Sequence, residues 1–249
     1  MVRNMTNEKE TDYILPGKAE SYWVESAPES NYPPLSGDIR VDVAILGGGI
    51  VGITSAFLLK EAGVSSVAVI EANRILKGVT GHTTAKVTSQ HNLIYDRLIS
   101  KFGMKEAQQY ADSNQSAIEK IASIVRSRNI DCDFIRKPAY VYAGSEESAG
   151  KIRNEVEAAK NLGLPASFQE SLPLPFETYG AVLFRNQAQF HPRKYLCALA
   201  RELEGNGCHI FEKTRALKIE GNSPISIITD RGTVEANKVI QTTHFPIDD

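Results

Sequence analysis

One short segment restricts the possible folds of this chain more than any other: a glycine pattern set between a buried strand and a helix. VDVAIL (41–46) is a nearly continuous apolar run, typical of a parallel strand buried on both faces. It is followed by Gly47-x-Gly49-x-x-Gly52, by apolar residues at helical spacing up to Gly63, and by a second apolar run, SVAVIE (66–71). A strand, a turn, a helix and a strand within about thirty residues predict a βαβ unit.

The glycine pattern in this setting predicts a dinucleotide-binding turn. Gly47 permits the tight turn, Gly49 lets the backbone approach a pyrophosphate, and Gly52 allows close helix packing. The free N–H groups and the dipole of the helix would bind the anion. A plain glycine-rich turn of another α/β protein is the weaker alternative. The predicted contacts within this turn also include Gly48, Ile50 and Val51.

Glu71 stands where such a site needs a carboxylate. It ends the second apolar run, 19 positions after Gly52. A carboxylate there can accept hydrogen bonds from both ribose hydroxyls, whereas a 2′-phosphate would be repelled. The sequence therefore disfavours NADP.

The next segment, ANRILKGVTGHTTAKVTSQH (72–91), helps to separate FAD from NAD. Its small residues let the backbone approach a cofactor, and the hydroxyls of Thr80, Thr83 and Thr84 can donate to phosphate or ribityl oxygens. An NAD dehydrogenase would more often continue into a short helix and a third parallel strand. These residues favour FAD and leave an NAD-linked dehydrogenase as the alternative.

In most of the remaining chain the spacing of apolar residues also predicts helices and strands. We expect two helices over 92–128 with a break at Phe102–Gly103, a strand over 134–144, and a capped helix over 146–163. One or two strands at 179–190 and a helix at 191–207 follow. Residues 1–40 read as an irregular arm that docks Tyr22 and Trp23 on the domain surface. Strand-like runs cover 208–220, 226–230 and 234–244, with a tight turn at 231–232.

The residues of these motifs resemble those of a known family. VDVAILGGGIVGITSAFLLKEAG, VAVIEA and GVTGHTTAKVTSQH resemble the D-amino-acid oxidase/glycine oxidase superfamily of FAD-dependent oxidoreductases. GHTTAKVTSQH, NQAQFHPRKYLCALARELEGNG and the final TTHFP resemble the branch that carries a C-terminal Rieske [2Fe–2S] domain. The resemblance covers roughly residues 20–249 and is weakest over 130–185.

The resemblance implies an α/β fold: a Rossmann-like FAD-binding domain with a parallel central sheet, plus part of a mixed-sheet α+β substrate domain. The expected divisions are an N-terminal arm (1–36), the first part of the FAD-binding domain (37–130), a partial substrate domain (131–190), and a return to the FAD-binding domain (191–249). It places Ala72 and Asn73 beside the adenosine ribose. It also assigns cofactor contacts to the loop and to two later strands, at Gly78, Thr80, Gly81, Thr83, Thr84, Ala85, Ala216, Thr242 and Thr243.

Two of these positions depart from the family pattern. Ala216 stands where valine is usual, and Thr242 replaces an alanine. Both departures are mild, since a backbone contact survives the first. In the family a late glycine-rich segment closes over the flavin, and none follows Thr243 in this sequence. No Cys-x-His…Cys-x-x-His pair is present either. We therefore expect the N-terminal part of a longer protein, with little or no turnover on its own.

Bulk properties exclude several other classes. The formal net charge of -2 gives no sign of a nucleic-acid or anionic-membrane partner, and three cysteines without CxxC spacing suggest a reducing compartment. No run approaches the roughly 20 apolar residues of a membrane helix, and the polar N-terminus lacks a signal core, so the default expectation is cytoplasmic. GxSxG and HExxH are absent, which leaves hydrolase interpretations unsupported.

A few further side chains are candidates for chemistry. His82 or His91 could orient a substrate or stabilise reduced flavin, but a structural hydrogen-bonding role is favoured. Lys86 could equally face flavin N1, a phosphate or solvent. His191 precedes a helix, which is typical of a cap neighbour. His209 and His244 lack metal-ligand spacing, so no metal is expected.

Together these features predict an FAD-dependent oxidoreductase acting on the C–N bond of a small amine or amino acid. Hydride would pass to flavin N5 and an imine would be hydrolysed. The electron acceptor, oxygen or an iron–sulfur domain, stays open. A catalytically inactive FAD- or ADP-binding fragment is the other alternative. No catalytic side chain is assigned.

Overall fold

Two β-sheets with helices packed against them organise residues 17–247, which are the residues that the computed structural model describes. The strands are β1 (Ile39–Leu46), β2 (Val67–Ile70), β3 (Lys86–Val87), β4 (Ile135–Tyr142), β5 (Ala166–Gln169), β6 (Ala181–Gln189), β7 (Cys208–Phe211), β8 (Ala216–Glu220), β9 (Ile225–Thr229) and β10 (Thr233–Gln241). The helices are α1 (Tyr22–Glu25), α2 (Ile50–Glu61), α3 (Tyr95–Phe102), α4 (Met104–Ser127), α5 (Glu146–Asn161) and α6 (Pro192–Leu203), with a 3₁₀ turn at Val79–His82.

The first sheet contains the predicted βαβ unit. Its order is β7-β2-β1-β10-β9-β8; the first four strands are parallel, and β9 runs antiparallel to both of its neighbours, β10 and β8. Val43 and Ile45 face one apolar cluster, with α2 and α6, while Ala44 and Leu46 face another. Burial on both faces explains why β1 reads as a continuous apolar run rather than an alternating one.

The second sheet is antiparallel and centres on β6, which pairs with β4 on one side and with β3 and β5 on the other. Helices α3, α4 and α5 cover one of its faces, where Tyr95, Val156 and Phe184 pack together. The α/β fold class is thus confirmed, while all described strand pairs of the second sheet, which was expected to be mixed, are antiparallel. Because β3 already pairs in this sheet, the chain reaches the second sheet before residue 131; the domain limits given above stay a prediction.

Three local expectations need refinement. The run 208–220 forms two strands at opposite edges of the first sheet, because Glu212 and Thr214 turn inward and are buried. The expected end of the 191–207 helix is too late, since α6 stops at Leu203 before Gly205, which has a positive φ. The short strand β5 was not predicted; its length of four residues gives little periodic signal.

Several other expectations hold. The break between α3 and α4 falls at Gly103, whose φ of 93° is a conformation that favours glycine. The turn at 231–232 joins β9 to β10. The expected irregular arm is only partly found: its described part includes the helix α1, and Trp23 contacts the domain at the Thr83 carbonyl, whereas Tyr22 is 68% exposed. Residues 1–16 lie outside the described range. No helix within residues 17–247 has the length and apolar character needed to cross a bilayer.

Candidate cofactor site

The amino end of α2 lies at the carboxyl edge of the parallel strands. Gly49 is its N-cap and makes no side-chain cap bond. The Ile50 N–H donates to Thr80 Oγ1 at 2.9 Å. Among the described residues, the N–H groups of Val51 and Gly52 have no hydrogen-bond partner. Two free amides at the positive end of a 12-residue helix can donate hydrogen bonds to an anion.

Glycine is required at two positions of the turn for different reasons. Gly47 has a φ of 108°, which side-chain-bearing residues rarely adopt. A Cβ on Gly52 would lie 1.9 Å from the Gly47 carbonyl oxygen. Gly52 therefore permits α2 to start directly against the turn, a tighter constraint than the helix-to-sheet packing expected from the pattern.

The Glu71 carboxylate lies directly beside this turn. Its Oε2 accepts the N–H of Gly48 at 2.8 Å, and its Oε1 accepts the N–H of Asn73 at 2.8 Å. These bonds fix the carboxylate, and each oxygen keeps a lone pair for a further donor. A fixed, half-exposed carboxylate next to an anion-binding turn fits the ribose-binding role predicted for Glu71.

Thr242 has a structural role that the sequence comparison did not show. Its single hydroxyl proton lies between the Leu46 carbonyl at 2.8 Å and the Gly47 carbonyl at 3.0 Å, and its N–H donates to the Leu46 carbonyl at 2.9 Å. The end of β10 is thereby tied to the glycine turn at the end of β1. The replacement of alanine by threonine thus adds a hydrogen bond to the turn.

A cavity of about 1060 Å³ opens at this edge of the sheet. Its volume is at the upper end of the range of ligand sites, as a dinucleotide requires. It extends from the end of the first sheet to β3 and α4. The predicted contacts that line it are Gly47, Gly49, Ile50, Val51, Glu71, Ala72, Asn73, Gly78, Thr80, Thr83, Ala216, Thr242 and Thr243.

The other five predicted contacts do not line the cavity. A Cβ on Gly48 would lie 2.5 Å from Ile75 Cγ2, so this glycine allows close loop packing. Gly52 abuts the Gly47 carbonyl, and Gly81 abuts the carbonyl of Leu76. The remaining two are in the same loop and face away from the cavity: Thr84, which is exposed, and Ala85, which is buried.

Sequence reasoning missed several lining residues. Arg74 and Lys77 belong to the predicted loop, where two basic residues after Glu71 were a usable signal for an anionic ligand. Thr88 also belongs to the 72–91 segment, whereas Asn114 and Phe190 were not detectable, because they come from two distant segments that only the tertiary fold brings together.

The histidines have structural environments. His82 Nδ1 lies 2.9 Å from the Gly78 carbonyl oxygen, and His91 Nδ1 lies 2.9 Å from Tyr110 Oη; neither histidine lines the cavity. His191 is the N-cap of α6: its Nδ1 accepts the Lys194 N–H at 3.2 Å. Burial lowers the pKa of His191, with a smaller effect from Lys194.

Two further histidines and the cysteines form no metal site. The ring of His209 stacks on that of Phe211. His244 lines the cavity, and its ring is edge-on to the ring of Phe245. Burial raises the pKa of Cys132 to about 11, which keeps this thiol protonated. Over residues 17–247 no three His, Cys, Asp or Glu side chains cluster as metal ligands would.

The residues present fit an adenine dinucleotide. A Cβ at Gly49 would lie 3.3 Å from Thr80 Oγ1, so the bare backbone leaves room for a diphosphate beside the start of α2. The sheet topology also favours a ligand at this edge. The strand β1 lies between β2 and β10, so the strand order reverses there, and ligands of open α/β sheets bind where it reverses.

The chain belongs to the FAD dependent oxidoreductase (DAO) family, whose model matches residues 42–245. The cofactor is accordingly FAD, and the predicted family resemblance is confirmed.

Two curated relatives and one solved structure are similar to the chain. A Bacillus subtilis (strain 168) protein named as a Rieske 2Fe-2S iron-sulfur protein, YhfW, is 42% identical over 231 residues, covering 92% of this chain and 45% of that protein. Gamma-glutamylputrescine oxidoreductase of Escherichia coli (strain K12) is 27% identical, with coverage of 88% and 53%. L-amino acid deaminase from Proteus vulgaris has the same fold (TM-score 0.66, 18% identity, coverage of 84% and 49%). The chain thus spans about half the length of each.

Proposed function

We propose that this chain forms the FAD-binding part of an oxidoreductase that oxidises the C–N bond of an amine or amino acid. When bound, the flavin supplies the chemistry by accepting a hydride at N5, after which water hydrolyses the resulting imine. The observation that supports this most strongly is the convergence of Glu71, the glycine turn and Thr80 at one cavity that continues to the second sheet.

The first-sheet end of the cavity would hold the ADP half of the cofactor. The free N–H groups at the start of α2 would donate to the diphosphate, as would the Thr80 hydroxyl, whose proton has no acceptor among the described residues. Glu71 would accept the ribose hydroxyls. Ala216, at the start of β8, would face the adenine.

The second-sheet end has the composition of a substrate pocket. Ile118 and Phe190 supply an apolar wall, while Asn114 and Thr88 supply hydrogen-bonding groups. Lys86 also lines this end and forms no ion pair with any described carboxylate. An unpaired ammonium group beside an apolar wall would orient a substrate carboxylate or stabilise negative charge on the bound flavin.

The names of the relatives support a nitrogen-containing substrate and a protein-borne electron acceptor. The Escherichia coli relative is named for gamma-glutamylputrescine, an amine, and the Bacillus subtilis relative for its iron–sulfur centre. We propose that in a protein with a Rieske domain the electrons leave through the 2Fe–2S centre rather than directly to oxygen. The electron acceptor and the substrate are therefore proposed for the whole protein and not for this chain alone.

The test is spectroscopic and uses the purified chain. We expect flavin absorbance bands to co-purify, and anaerobic addition of the right amine or amino acid to bleach them, while NADH does not. Glu71→Gln is the matched variant, since it keeps the side-chain length but weakens acceptance from the ribose. A chain that binds NADH and no FAD would instead be the dehydrogenase. A chain that keeps FAD but is bleached by no member of a broad amine and amino-acid panel would be the catalytically inactive FAD-binding fragment, and the proposed reaction would be contradicted for this chain.

A further inference from the structure

The N-terminal arm runs across the outside of the cofactor loop. We define the strap as residues 21–35 and the cofactor loop as residues 72–85. Trp23 Nε1 donates to the Thr83 carbonyl at 2.8 Å, and the Ser21 hydroxyl donates to the Gly81 carbonyl. Neither Ser21 nor Trp23 lines the cavity, so both contact the loop without entering the cofactor site.

Glu29 adds an ionic contact between the strap and the loop. Its two carboxylate oxygens lie 2.6 Å from Arg74 Nη1 and 2.6 Å from Lys77 Nζ. Lys77 and Arg74 hold the pKa of Glu29 below its usual range. Arg74 also donates to the Ser30 carbonyl at 3.0 Å. Both basic side chains line the cavity, so Glu29 determines where two cations of the cofactor site lie.

A buried arginine anchors the first half of the strap to α6. Arg193 is 0% exposed and donates to the carbonyls of Val24 at 2.7 Å, Pro28 at 3.2 Å and Trp23 at 3.4 Å. A buried guanidinium whose partners are strap carbonyls would be left without them if the strap detached. The docked strap is therefore the stable arrangement.

A buried carboxylate joins the second half of the strap directly to the loop. Glu212 is 1% exposed; its Oε1 accepts the Ser30 hydroxyl and, at 2.9 Å, the N–H of Ile75, while its Oε2 accepts the N–H of Tyr32 at 3.1 Å. One carboxylate thus serves two strap residues and one loop residue. The strap and the loop cannot separate without breaking this group's bonds.

The strap also packs against the 3₁₀ turn of the cofactor loop, which carries Thr80. A Cβ on Gly81 would lie 2.9 Å from Val24 Cγ2 and 2.9 Å from the Leu76 carbonyl oxygen, so the strap presses on the turn from outside. On the inner side, Thr80 Oγ1 bonds to the Ile50 N–H at the start of α2. The position of this hydroxyl therefore depends on both α2 and the strap.

We propose that the strap is a positioning element of the FAD site: Trp23 and Glu29 hold the cofactor loop so that Thr80, Arg74 and Lys77 lie where the diphosphate binds. This inference rests on the cofactor site assigned above. It makes FAD affinity depend on residues that do not contact the cofactor.

The experiment compares FAD binding by the purified chain and its variants, using quenching of flavin fluorescence. Trp23→Phe removes the indole donor but keeps a ring, and Glu29→Gln removes the charge but keeps the length. Each should weaken FAD binding by about three- to tenfold, and the double variant by more than tenfold. Glu29→Asp, which keeps the charge, should recover part of the affinity. Glu25→Gln is the matched control, because Glu25 is an exposed strap carboxylate that forms no ion pair with any residue in the range 17–247.

A second measurement separates positioning from general stability. In the FAD-free double variant, hydrogen exchange should accelerate at the amides of residues 76–83 and stay unchanged in β1 and β2. FAD affinity equal to that of Glu25→Gln would overturn the proposal, as would tighter binding through release of Arg74 and Lys77 to the phosphates. Failure of the wild-type chain and of Glu25→Gln to bind FAD would overturn the cofactor site itself, and the strap proposal with it.

Discussion

Replacing Thr80 by valine tests the anion-binding end of α2 most directly. Valine has nearly the same shape as threonine, so the packing of this side chain, which is 7% exposed, is preserved while its hydroxyl is lost. Two interactions disappear: the acceptor for the Ile50 N–H at 2.9 Å and the free hydroxyl donor that we assign to the diphosphate.

The two losses have different magnitudes. A hydrogen bond to a charged acceptor contributes about 1.5–3 kcal/mol, whereas a neutral one contributes about 0.5–1.5 kcal/mol. Since about 1.4 kcal/mol corresponds to a factor of ten, loss of the diphosphate contact should weaken FAD binding by roughly 10- to 150-fold. The free energy of unfolding without FAD should fall by only about 1 kcal/mol, because the Ile50 amide faces the cavity and water can replace the hydroxyl.

The assay is FAD titration followed by flavin fluorescence, combined with urea unfolding of the FAD-free chain. Thr80→Ser keeps the hydroxyl and should bind FAD within about threefold of wild type. Thr84→Val is the matched control, since Thr84 is in the same loop but exposed and outside the cavity. Equal FAD affinity for Thr80→Val and Thr84→Val would refute the assignment of Thr80 to the diphosphate.

Three further predictions concern other parts of the fold. Gly52→Ala places a Cβ 1.9 Å from the Gly47 oxygen, so we expect a loss of about 1–3 kcal/mol in stability and a displaced turn. The loss of FAD affinity should exceed that from Gly150→Ala in α5, where the added Cβ meets no atom; equal FAD affinities would contradict this. Glu155 accepts the N–H groups of the first turn of α3 at 2.8–3.0 Å, so Glu155→Gln should lower the free energy of urea unfolding by about 1–3 kcal/mol and leave FAD affinity unchanged. Burial lowers the pKa of His191 in the folded chain, so as the pH falls the unfolded chain takes up the proton before the folded chain does. The melting temperature should therefore fall as the pH drops below about 6.5. His191→Asn keeps an acceptor for the helix cap but does not titrate, so it should make the melting temperature less dependent on pH.

The sequence by itself determined the local parts of the site. The apolar runs of β1 and β2, the glycine spacing and the distance to Glu71 are all contained within about thirty residues, and the structure forms the predicted βαβ unit from them. The break between α3 and α4 was likewise predictable, because Gly103 adopts a conformation that other residues avoid.

Only the tertiary structure decided which distant segments complete the site. Thr242 bonds to the turn at Gly47 from 195 positions away, and Glu212 joins the strap to the cofactor loop across 182 and 137 positions. The run 208–220 divides between the two edges of the first sheet for the same reason: buried Glu212 and Thr214 bond to segments far away in sequence. Periodicity records how a residue relates to its neighbours within a helix or strand, so it carries no information about partners brought close only by folding.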